Sequence, residues 1–261
     1  MRNPVAAALF VGALVLAGPA GAARELESKP TVVLVHGAFA GSSSWNGVIT
    51  RLVADGYKVI AAANPLRSVK SDSAYLSSLL GTIEGPVVLV GHSYGGEIIN
   101  TAAVGSNKVK GLVFVAGVAP DAGESAASLG DRFPGGTLGE TLAAPAPLPD
   151  GGADLYIQPN RYWAQFAADV PEADATQVAA TQRPVTKAAL SEPSGEPAWR
   201  AIPSWFIYGS LDKNIPRTLH AFMAERAKSR ETVEVQGASH VVMISHPADV
   251  AALIERAASA P

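Results

Sequence analysis

The chain has 261 residues, 48% hydrophobic and 16% charged, a composition that excludes a disordered chain and suits one globular domain with a sizeable core. A formal net charge of -3 with no long run of one sign leaves no footprint for nucleic acid or an anionic membrane; a small neutral or mildly polar molecule is the expected partner. With no cysteine anywhere, disulfides, thiolate chemistry, lipid attachment through cysteine and Cys-type metal sites are all removed.

In chain order, Arg2, an apolar run from Val5 to Leu16, Gly18-Pro19 and the small residues Ala20 to Ala23 come first. This pattern predicts a secretory signal peptide over 1–23, cleaved near Ala22 or Ala23. The apolar run is shorter than the roughly 20 residues that span a bilayer. The expected location is therefore secreted or periplasmic, with no membrane contact once the signal is removed, and the mature domain is 24–261.

Six short β-branched runs then recur: TVVLVHG (31–37), KVIAAAN (58–64), PVVLVGH (86–92), GLVFVAG (111–117), SWFIYGS (204–210) and TVEVQG (232–237). Being almost continuously apolar, most read as strands covered on both faces, as in a parallel sheet. Helical patterns lie between them, around Ser44–Asp55, Ser71–Leu80, Tyr94–Ala103, Arg217–Lys228 and Ala248–Ala258. The alternation predicts an α/β fold with a mostly parallel, doubly wound sheet. The rhythm breaks over about 121–203, read as a helical and irregular lid inserted between two strands, with Gly135–Gly152 as an unstructured Pro-rich loop.

Chemistry concentrates at Gly91-His92-Ser93-Tyr94-Gly95. The bare G-x-S-x-G pattern is weak, but here a strand precedes it and a helix follows. That turn exposes a serine hydroxyl beside free N–H groups at a helix N-terminus. A serine hydroxyl needs a base, and the base needs an orienting acid. Among five histidines, His240 comes directly after the last strand, at the carboxyl edge where ligands of open α/β sheets collect. His246 is the remaining candidate; His92 reads as structural, His36 ends a strand next to the HGAFAGSS loop, and His220 reads as a residue on a solvated helix face. Asp212, after the strand SWFIYGS, is the expected acid, with Asp121 as competitor. The loop after the first strand, HGAFAGSS, would supply a backbone N–H from Ala38, paired with that of Tyr94, as an oxyanion hole. Phe39, Tyr94, Trp163 and Phe166 are candidate apolar pocket walls. No H-E-x-x-H, P-loop or dinucleotide-binding glycine pattern is present, so neither metal nor cofactor is expected.

Together VLVHGAF, LVGHSYGG, IYGSLDKNIP and GASHVVMISHP resemble the α/β-hydrolase superfamily. More narrowly the chain is similar to the branch with plant methylesterases, hydroxynitrile lyases and bacterial esterase homologues. The resemblance implies a Ser93 nucleophile, a His240 base, an Asp212 acid and Ala38 and Tyr94 as oxyanion donors. The lyases of that branch carry a lysine directly after the histidine, where this chain has Val241. A serine hydrolase of a small carboxylic ester or lactone is therefore expected. A cofactor-free perhydrolase and a noncatalytic binding protein of the same fold are the alternatives.

Overall fold

The run TVVLV becomes strand β1, Thr31–Val35, with all five residues buried; β-branched side chains covered on both faces have no solvent side on which to alternate. The same logic forms β3 (Val87–His92) and β4 (Val109–Val115), while β2 (Val59–Ala62) sits at one edge. The computed structural model describes residue 1 and residues 29–261; the expected signal segment lies, Met1 apart, outside the described residues. With β8 (Ser204–Gly209) and β9 (Glu231–Val235), the strands form a six-stranded sheet in the order β2-β1-β3-β4-β8-β9, every neighbouring pair parallel. Parallel pairing requires crossovers, and helices supply them. Helix α1 (Asn46–Ala54) packs with α10 (Pro247–Ser259), and α2 (Val69–Gly81) with α3 (Tyr94–Ala102). Helix α8 (Arg217–Arg226) joins β8 to β9, and the single turn α9 (Val242–Ser245) precedes α10. The fold is thus the doubly wound α/β type expected from the strand and helix alternation.

Between β4 and β8 the chain leaves the sheet. This insertion carries α4 (Ala126–Arg132), α5 (Pro159–Phe166), α6 (Glu172–Ala180) and α7 (Lys187–Ser191), with a small antiparallel sheet of β5 (Ala146–Pro147), β6 (Ala153–Leu155) and β7 (Val185–Thr186). It is fastened to the body at several points. Arg67 binds Asp154 Oδ1 at 2.7 Å and donates to the Pro184 carbonyl at 2.9 Å. Glu192 accepts from the Val69 and Lys70 amides at the start of α2, where a carboxylate also meets the positive end of the helix dipole.

The expected unstructured loop over 135–152 is corrected. It holds a 3-10 turn, Leu138–Thr141, and strand β5. Its amides find partners: Thr137 N–H donates to the Lys213 carbonyl at 2.8 Å and Ala143 N–H to that of Tyr156 at 2.8 Å. Leu138 and Leu142 pack against the core. Once these backbone groups and apolar side chains are paired, the prolines limit the segment's freedom without preventing order. Among the described residues no helix is long and apolar enough to cross a membrane.

Candidate active site

Strand β3 ends at His92 and α3 begins at Tyr94, leaving Ser93 alone in the turn with φ 51° and ψ -125°. For a non-glycine residue this is sparsely populated backbone, of the kind stored at functional sites. The chain can turn this sharply because Gly91 has no side chain: a Cβ there would stand 2.5 Å from the Gly95 carbonyl oxygen. Ser93 is held by its own backbone, its carbonyl accepting from Gly96 at 2.9 Å and Val118 at 3.0 Å. Beside it the loop after β1 is pinned by Asn64, whose Nδ2 donates to the His36 carbonyl at 2.9 Å. Phe39, at φ 59°, donates its amide to the Arg183 carbonyl and accepts at its own carbonyl from the Tyr162 hydroxyl. Thus both ends of the Phe39 peptide are held by the insertion.

Asp212 follows β8 and is fully enclosed. Its Oδ1 accepts the amides of Asn214 at 2.8 Å and Ile215 at 3.0 Å. Its Oδ2 lies 2.7 Å from His240 Nδ1 and 3.1 Å from His220 Nε2. Burial alone would raise the carboxyl's pKa, but the charge interaction with His240 and the hydrogen bonds from both imidazoles more than reverse it, holding Asp212 well below the usual carboxylate range. An ionised carboxylate only accepts, so His240 carries its proton on Nδ1. Its other nitrogen, Nε2, is buried and without a hydrogen-bond partner among the described residues. The ring is packed by Phe166 at 5.0 Å and by His92 at 4.8 Å between centroids.

A cavity of about 300 Å³ opens on this turn. Ala38, Phe39, Tyr94 and Phe166 line it, and Ser93 is the one Ser or Thr among its lining residues. A Cβ on Gly37 would lie 3.2 Å from the Tyr94 nitrogen, so the loop that presents Ala38 runs directly beside the Tyr94 amide. The rest of the wall is mostly apolar, including Phe133, Leu138 and Leu219. A larger groove, about 1280 Å³, opens at the opposite edge of the sheet, by Pro30, Pro86 and Pro203, but no Asp, Glu or His lines it. Among the described residues no cluster of three or more His, Asp or Glu has the arrangement of a metal site.

The competing residues sit elsewhere. Asp121 pairs with Arg200 at 2.6 Å on the surface, and His246 lies 3.7 Å from Asp169. Two expectations are corrected. Trp163 does not line the cavity: it is 40% exposed, and its Nε1 donates to the Val170 carbonyl at 3.0 Å. Helix α5 buries Tyr162, Gln165 and Phe166, and at about 100° per residue Trp163 turns outward from that stripe. His220 is not on a solvated face. It is fully buried on α8, stacked on Tyr208 with ring centroids 4.6 Å apart. Its spacing beside Leu219 and before Met223 and Ala224, which form the buried side of α8, is the signal that could have found it.

Residues 32–253 match the family model described as "Alpha/beta hydrolase family". The chain is 26% identical to an alpha-hydroxynitrile lyase of Arabidopsis thaliana over 244 residues, covering 85% of this chain and 94% of that protein. It is also 26% identical to methylesterase 3 of the same plant, over 88% of this chain and 96% of the relative. Among solved structures, polyneuridine aldehyde esterase superposes with a TM-score of 0.75 at 20% identity, covering 87% of this chain and 98% of the other. A pyrethroid hydrolase from Sphingobium faniae JZ-2 gives 0.70 at 22% identity, covering 89% and 98%. With the family model spanning the sheet, the serine turn and the His240 loop, the chain belongs to the alpha/beta hydrolase family.

Proposed function

We propose that this chain is a secreted or periplasmic hydrolase that cleaves a small, uncharged carboxylic ester or lactone through an acyl-enzyme on Ser93. Carboxylic-ester hydrolysis is the activity of its methylesterase and esterase relatives. The observation that carries the reading is Ser93: strained on a strand-to-helix turn, at the wall of a mostly apolar cavity, in a structure where Asp212 holds His240 by Nδ1.

The steps follow from the atoms. Ser93 Oγ attacks the ester carbonyl carbon while His240 Nε2 takes the hydroxyl proton, and the negative charge moves onto the carbonyl oxygen. The amides of Ala38 and Tyr94 receive that oxyanion; one such donor is typically worth about 2.7–4 kcal/mol of barrier. Collapse expels the alkoxide, which takes the proton from His240. A water then enters, gives a proton to Nε2 and attacks the acyl carbon; the second tetrahedral intermediate breaks its bond to Ser93 Oγ, which takes the proton back from Nε2 as the carboxylic acid leaves. Among the described residues Nε2 has no hydrogen-bond partner, and catalytic hydrogen bonds commonly tighten only when substrate seats.

A volume near 300 Å³ with a mostly apolar wall suits a small apolar ester better than a charged or polymeric one. Val241 is fully buried directly after His240 and supplies no charge of the kind a cyanide leaving group needs. The test is a panel of p-nitrophenyl esters, methyl esters and lactones with wild type and Ser93→Ala. Turnover of short apolar esters that disappears in the variant supports the reading; equal rates in the two proteins contradict it. Adding hydrogen peroxide to the same assay separates a hydrolase from a perhydrolase by the fraction of acyl groups released as peracid.

A further inference from the structure

The unusual feature of Asp212 is that one oxygen serves two imidazoles. Oδ1 is taken by the Asn214 and Ile215 amides, and Oδ2 faces His240 Nδ1 at 2.7 Å and His220 Nε2 at 3.1 Å. An ionised Oδ2 cannot donate, so both facing nitrogens carry protons and the tautomers are opposite: N–H at Nδ1 of His240 and at Nε2 of His220. The outer nitrogens, His240 Nε2 and His220 Nδ1, have no hydrogen-bond partner among the described residues. His220 is fixed as firmly as the carboxylate: it is fully buried, its ring lies 9° from parallel with Tyr208, and it sits only eight residues after Asp212. Burial pushes its pKa down, against the pull of Asp212, which keeps it a neutral donor.

We propose that His220 is a positioning residue that sets how strongly Asp212 acts on His240. The proposal rests on Ser93, His240 and Asp212 forming the catalytic set. The His220 N–H draws part of the Oδ2 charge to itself and holds the carboxylate at the same oxygen that meets His240. With it present, Asp212 orients His240 without over-stabilising the imidazolium. Without it, Oδ2 is left wholly to His240, the protonated base is stabilised, and the acid limb of kcat/KM moves to higher pH.

The titratable groups around the two rings are few. Asp212 lies between them, and Tyr208 stacks on His220 with Glu234 and Arg217 near its phenol. His92 lies 4.8 Å from the His240 ring. Asp169 is bonded to Ser239, with His246 beyond it. Of these, Asp212 alone is hydrogen-bonded to both imidazoles.

The experiment compares wild type, His220→Leu and His220→Gln in full pH profiles on the same ester. His220→Leu is expected to move the acid limb up by about half to one pH unit and to lower kcat about tenfold, with KM little changed. His220→Gln, whose amide N–H can still reach Oδ2, is expected to restore the limb and most of kcat. Equal losses in both variants with an unmoved limb would make His220 a filler of space and overturn the proposal. Should the leucine variant not fold, nitrogen-15 histidine NMR of the wild type decides: two neutral imidazoles of opposite tautomer support the proposal, and an Nδ1–H tautomer at His220 overturns it. Failure of the underlying reading shows separately, as a Ser93→Ala protein that keeps the wild-type rate.

Discussion

A Cβ on Gly37 would stand 2.6 Å from the Ser93 Cβ and 2.7 Å from the His92 carbonyl oxygen. Both neighbours belong to the strained turn, so neither can retreat without moving the Ser93 hydroxyl. Gly37→Ala should therefore shift the loop that presents Ala38 away from the Tyr94 amide. The expected loss in kcat is about 10²–10³, as for removal of one oxyanion donor, with a destabilisation of about 1–3 kcal/mol from the overpacking. Steady-state kinetics and thermal unfolding of the variant measure both; a wild-type kcat would contradict the assigned geometry.

Asp212→Asn tests the tautomer argument. Two amides, from Asn214 and Ile215, point at Oδ1, so an asparagine would place its carbonyl oxygen there and its NH₂ toward the imidazoles. His240 Nδ1 would then have to accept, sending its proton to Nε2 and abolishing the base. A fall of about 10⁴ in kcat with the fold intact is expected, the size seen when a triad carboxylate is neutralised elsewhere. The check is kcat alongside circular dichroism; a loss smaller than tenfold would contradict it.

Stability should respond to pH through a group outside the site. Glu97 on α3 is fully buried; its Oε1 accepts from Ser194 Oγ at 2.6 Å, while Oε2 has no partner among the described residues. Burial, with help from Glu192 and against the Ser194 hydrogen bond, pushes its pKa from 4.5 up to about 8. Between those values the folded protein holds a proton that the unfolded chain has released, so Glu97 contributes less and less stability as pH rises through that window. His36 acts in the opposite sense: burial lowers its pKa from 6.5 to about 4, so its contribution is present above 6.5 and is lost as pH falls toward 4. Glu97→Gln should gain stability over wild type as pH goes from 5 to 8, by an amount of order a few kcal/mol at the upper end. Denaturant melts at pH 5 and pH 8 read the difference, and a gap between the two proteins that does not grow with pH would refute it.

Phe166 and Trp163 lie three residues apart on α5 and should behave differently. Phe166 is fully buried at the cavity wall, packed on His240, Tyr162, Phe39 and His92. Phe166→Ala should cost about 3–5 kcal/mol, enlarge the pocket and move the preference toward longer acyl chains. Trp163→Ala removes a partly exposed ring from outside the cavity and should leave that preference as it is. Acyl-chain profiles of the two variants distinguish them.

The inner strands were readable because a strand buried on both faces has to be written in consecutive apolar residues, and the edge runs, half-buried in β2 and β9, still carried enough β-branched residues that all six became strands of one sheet. The Ser93 turn was readable because its constraint is local: glycines are needed within two residues of the bend. What stayed hidden depends on partners far along the chain. Glu97 meets Ser194, and the insertion is latched to the His240 loop through Asp169 and Ser239; no spacing rule joins such pairs. His220 lies between these cases. Its place on the apolar stripe of α8 was visible, but a histidine on such a stripe is understood only once the carboxylate it faces is located. Trp163, which faces outward, is the converse case: aromatic content alone does not say which way a short helix turns.

In the proposed mechanism the acyl-enzyme forms on Ser93 Oγ. A small alkyl fluorophosphonate, followed by digestion and mass spectrometry of the adduct, tests it directly. One covalent adduct on the peptide containing Ser93, absent in Ser93→Ala and slowed in Asp212→Asn, is the predicted result. An adduct on another residue, or labelling of Ser93→Ala at the wild-type rate, would contradict it.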